Sequence, residues 1–137
     1  MSDSVFAIAG LAHLGMDYGK VLRVKYDQDE WKIEPMVDLG AAPRTFVKES
    51  SESLLIITTK NLTRVRITGT IEKLLQTKYQ FLYPNSMTLS RDGIIYVGMR
   101  HFITRLTPIK NGYKEEWFVP TNCQKFKIQE YDCVCYE

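Results

Sequence analysis

Leu62-Thr63-Arg64-Val65 has a counterpart 41 residues earlier, Val21-Leu22-Arg23-Val24, and another 41 residues later, Ile103-Thr104-Arg105-Leu106. Each segment holds one arginine in an apolar frame. The last two copies share more at the same spacing: Pro43 and Pro84, Thr45 and Ser86, Phe46 and Met87, Leu54 and Ile95. Three copies of one β-rich unit account for this pattern.

The strands of the unit can be read outward from the arginine. Leu54-Leu55-Ile56-Ile57-Thr58-Thr59 is apolar at successive positions, as in a strand covered on both faces. Ile94-Ile95-Tyr96-Val97-Gly98-Met99 is its partner in the next unit, and Ser90-Arg91-Asp92-Gly93 before it reads as a hairpin turn. Glu49-Ser50-Ser51-Glu52-Ser53 takes that place in the middle unit. After each arginine strand comes a turn and a last strand: Trp31–Val37, Thr70–Leu75 and Tyr113–Val119. Ile71–Tyr79 has the composition of two helical turns, but its alignment with the other last strands favours β. Residues 123–136 read as an added closing strand or hairpin. The expected units are about 5–40, 41–81 and 82–122, with a closing segment 123–137, in a single domain. A repeat near 41 residues is the length of a four-stranded propeller blade.

Composition sets limits. The chain has 137 residues, 45% hydrophobic and 25% charged, as in an ordinary globular domain. Eighteen basic and 16 acidic side chains leave a formal charge of +2, too small and too interspersed to argue for nucleic acid or a membrane surface. No basic signal-peptide start and no long apolar span is present, so the expected location is cytoplasmic.

Tyr83-Pro84-Asn85-Ser86-Met87, followed by Asp92-Gly93-Ile94-Ile95-Tyr96-Val97-Gly98-Met99-Arg100, resembles a bacterial β-propeller blade. Gly10-Leu11-Ala12-His13 and Asp17-Tyr18-Gly19-Lys20-Val21 resemble the start of another. The resemblance implies an all-β fold of three propeller-like, antiparallel four-stranded units. Closed propellers have about four to eight blades. Three are therefore expected to stay open, or to be completed by association, with residues 5–14 and 126–136 near the contact. A piece cut from a longer propeller would also fit.

Chemistry is sparse. Nucleophile motifs, zinc-protease motifs and phosphate-binding glycine loops are all absent. Cys123, Cys133 and Cys135 lack the paired spacing of structural zinc sites; burial on a strand face explains the last two. His13 reads as half-buried and His101 as a turn residue. Asp92 is explained by its turn, and Asp27-x-Asp29 lacks the remaining calcium ligands. The repeated arginines read as positions that pack their stems and pair with acids rather than as an anion-binding ring.

The expectation is a non-enzymatic protein-binding module without cofactor or metal. An immunity-type inhibitor of a bacterial toxin domain, as in contact-dependent growth inhibition, is its narrower form. Asp27, Asp29 and Glu30 would meet a basic partner, and Tyr83, Arg100 and His101 would lie at a loop end. The rival is a small-ligand binder or enzyme built by a dimeric six-blade ring, with His101, Arg100 and Asp17 as its candidates.

Overall fold

The computed structural model describes residues 4–77, 84–100, 102–119 and 133–135. Twelve strands form three sheets. The first contains β1 (Ser4–His13), β2 (Met16–Asp27) and β3 (Glu30–Asp38) in that order. The second contains β4 (Pro43–Lys48), β5 (Ser53–Thr58), β6 (Asn61–Arg66) and β7 (Ile71–Gln76). The third contains β8 (Ser86–Leu89), β9 (Ile95–Gly98), β10 (Ile103–Ile109) and β11 (Gly112–Val119), with β12 (Cys133–Cys135) added beyond β11. The protein is all-β.

Two details correct the expected four-stranded units. The first sheet has three strands, because residues 4–27 form one long hairpin, β1–β2, instead of two shorter connections. The third has five, because β12 pairs parallel with β11. Residues 71–76 form β7, as their alignment with the other last strands predicts.

Local chemistry sets the turns. Leu14 and Gly15 have φ of 49° and 81° between the paired residues His13 and Met16. Gln28 and Asp29, at 51° and 63°, do the same between Asp27 and Glu30. Both are two-residue turns whose twist matches that of the strands. At the β8–β9 turn the Ser90 hydroxyl donates to Asp92 and accepts from the Ile94 N–H, and Gly93 takes a φ of 83°.

The arginines occupy equivalent places. Each stands on the strand before the last of its meander, opposite a glutamate: Arg23 and Glu34, Arg64 and Glu72, Arg105 and Glu116. The glutamates do not follow the 41-residue period, because the intervening turns differ in length.

Alternation along the strands then divides each sheet into an arginine face and a back face. The arginine face of the first sheet carries Phe6, Ile8 and Val21. It packs on Leu54, Ile56 and Val65 at the back of the second. The arginine face of the second carries Leu55, Ile57 and Leu62. It packs on Ile95, Val97, Leu106 and Trp117 at the back of the third. β5 is buried throughout, since it is covered on both sides.

A tight steric notch locks the first sheet to the second. A Cβ at Gly10 would lie 2.5 Å from Pro43 Cδ, and one at Gly19 would lie 2.2 Å from it. Only glycine allows this approach at those two places.

Candidate functional site

The largest unpartnered apolar surface among the described residues is the back face of the first sheet. Pairing aligns its side chains in rows: Val5–Val24–Ile33, Ala7–Leu22–Pro35, Leu11–Tyr18 and Tyr26–Trp31. Val5, Leu11, Met16, Tyr18, Tyr26, Trp31 and Ile33 are exposed, with Trp31 at 68% and Ile33 at 64%. Trp31 and Tyr26 meet at 5.0 Å between ring centroids with tilted planes, the geometry favoured by the ring quadrupoles. Lys20, opposite Asp38, stands at one margin. A cleft of about 300 Å³ lies between Ala9, Gly10, Leu11, Tyr18, Lys20 and Leu22.

Contiguous exposed apolar area of this kind is unusual in a monomer and marks a contact surface. The residues that form it alternate with equally apolar residues facing the second sheet. Residues 5–11 therefore read as apolar on both sides, and the sequence does not tell which side is covered. Two exposed aromatic rings on adjacent strands were the available signal.

Among the anticipated contact residues, Asp27, Asp29 and Glu30 lie at the β2–β3 turn. Asp27 accepts from Lys32 Nζ at 2.7 Å. Arg100 is exposed in the β9–β10 turn, where the Met99 N–H donates to Phe102 O. These groups are not brought together. β2, β6 and β10 run the same way, so the β2–β3 turn lies at the end of the molecule opposite the β9–β10 turn. Tyr83 and His101 lie outside the described residues, as does Cys123. His13 is exposed rather than half-buried, because the β1–β2 hairpin carries it past the second sheet.

Asp17 forms a link between sheets. Its carboxylate accepts from the Ala42 N–H at 2.7 Å, from the Thr59 hydroxyl at 2.8 Å, and from Lys60 Nζ at 3.0 Å. Burial opposes its ionisation, but these three donors hold its carboxyl below the usual range. All its lone pairs point at partners, which leaves little for a substrate.

The second polar cluster surrounds Arg64. Its Nε and Nη2 donate to Glu49 at 2.7 and 2.6 Å, a two-pronged contact, and Nη1 donates to Glu72 at 3.0 Å. Ser53 adds a hydroxyl to Glu49 at 2.7 Å. The Arg64 hydrogen bonds lower the Glu49 pKa, and the same bonds raise that of Arg64. Arg105 pairs with Glu116 at 2.9 Å and lies over the Phe118 ring at 4.8 Å. Arg23 differs. Its Nη2 donates to the Ile67 carbonyl at 2.7 Å, while Glu34 pairs with Lys25 at 3.0 Å. Two of the three arginines thus pair with the opposing acid, and the third caps a neighbouring turn.

Groups of His, Cys, Asp and Glu able to hold a metal are absent among the described residues. No described helix is long and apolar enough to cross a membrane. No protein-family model matches the chain, and no curated protein matches it in sequence.

Proposed function

We propose that this chain is a non-enzymatic protein-binding module that contacts its partner through the back face of its first sheet. One observation carries the reading: the aligned, exposed rows from Val5 to Ile33 and from Tyr26 to Trp31. Rigid aromatic anchors on a flat sheet gain contact area at low cost in side-chain entropy. The charged pairs elsewhere are mutually satisfied and serve to hold the sheets.

An open, propeller-like arrangement gives this surface its origin. β4 touches β1 on one side and β8 on the other, and β7 touches β11, as stacked blades would. A blade stack that stops leaves one back face without a neighbour. An inhibitor or immunity-type protein acting on a toxin domain is the narrower form of the proposal. The ring-forming enzyme has less support, since Asp17 is engaged by three donors and Arg100 stands alone on its turn among the described residues.

The test is site-specific photo-crosslinking in the cells that make the protein. A crosslinker at Ile33 should give a discrete protein adduct, and one at Arg91 in the β8–β9 turn should not. Equal labelling from both positions, or none from Ile33, would refute the reading.

A further inference from the structure

We infer that the first sheet receives its partner as an added strand: an extended, uncharged segment of another protein, apolar at alternate positions, pairs with the free edge of β1. The inference deepens the protein-binding reading and rests on it.

Counting from the arginines reveals the vacancy. Arg64 and Arg105 stand on the third strand of their meanders, after β4–β5 and β8–β9. Arg23 stands on the second, after β1 alone. The first sheet lacks the strand that corresponds to β4 and β8, and it lacks it on the β1 side.

The backbone of β1 fits that vacancy. In a two-residue turn with positive φ at both positions, the flanking residues exchange both backbone hydrogen bonds. His13 and Met16 are such a pair. Alternation then directs the backbone groups of Leu11, Ala9, Ala7 and Val5 toward β2. Those of Ala12, Gly10, Ile8 and Phe6 point away from it, and no backbone hydrogen bond joins them to another described strand. Only another extended backbone can satisfy such a row.

Side chains point the same way. Edge strands are normally guarded by charge or proline. β4 carries Pro43, Arg44 and Lys48, whereas Ser4–His13 contains neither a proline nor an acidic, lysine or arginine residue. The small side chains of Ala7 and Ala9 leave room beside the edge. The cleft between Ala9, Leu11, Tyr18 and Leu22 can take an apolar side chain from the back face of the added strand.

The test uses the full chain as bait for a phage-displayed library of random peptides, followed by synthesis of the best binder. Selected peptides should alternate apolar and polar residues. Methylating alternate backbone nitrogens of the peptide should weaken binding about tenfold or more in one set and little in the other, since only one set faces β1. Ala12→Pro removes one outward N–H without touching the β1–β2 ladder, and it should also weaken binding about tenfold. Unchanged near-ultraviolet circular dichroism would show that this variant folds; the methylated peptides need no protein variant at all. Peptides indifferent to methylation but abolished by Trp31→Asp would overturn strand addition and leave the protein-binding reading standing. A library that yields no binder would also overturn strand addition. Failure of the Ile33 crosslink as well would remove both.

Discussion

Trp31 and Trp117 stand on the back faces of equivalent strands, β3 and β11, in the first and third sheets. Trp117 is 2% exposed, stacks on Phe102 at 4.8 Å between centroids, and donates its Nε1–H to Glu115 at 2.7 Å. Trp31 is 68% exposed and touches Tyr26. The residue type, strand and face are the same. The difference is that the second sheet lies against one back face and nothing described lies against the other. Burial in this fold is therefore decided between sheets, and each ring reports whether a neighbour is present.

Removing Trp117 breaks this comparison most severely. Trp117→Ala should cost about 3–5 kcal/mol, since it empties a filled site in the core between the second and third sheets. Equilibrium denaturation in urea measures it, and a loss below about 1 kcal/mol would mean that the ring does not fill that core.

The polar link between the first and second sheets should matter less. Asp17→Ala leaves the Ala42 N–H, the Thr59 hydroxyl and the Lys60 ammonium without their acceptor, at a cost of about 1–3 kcal/mol. The same carboxyl gives a pH dependence. Asp17 and Glu49 both have pKa values lowered by folding. Their contribution is complete above the ordinary carboxylate range and is lost as pH falls through that range and below it. Urea midpoints should therefore fall on acidification below about pH 4.5, and Asp17→Ala should flatten part of that slope. A slope unaltered by the substitution would exclude Asp17 as a source.

Trp31→Ala should have the smallest effect on the isolated chain, within about 0.5 kcal/mol. A loss as large as that for Trp117 would show that the first sheet's back face is covered in solution.

Much of the architecture was legible from 41-residue spacing, because the arginine strand and its apolar neighbours keep their register whatever the turns do. The last strands were legible for the same reason, β7 included. The missing strand was not. Residues 4–13 carry no breaker between Ser4 and His13, and a long hairpin and two short strands bury similar side chains. The functional surface was partly hidden too. Trp31 and Trp117 read alike in sequence, since exposure depends on which sheet comes before, and a sequence of strands does not state that. The charged loop residues drew attention as contact candidates because loops often carry function. Asp27 instead is held by Lys32 within its own hairpin.

The notch formed by Gly10, Gly19 and Pro43 bears on how this protein varies over generations. Any side chain at either glycine collides with the proline ring, so the inner side of the first hairpin is closed to substitution. The residues between them, Leu11 and Tyr18, look outward and meet no such restriction. Drift in this hairpin should thus run in alternate positions, with one face held fixed while the other is free to follow a changing partner.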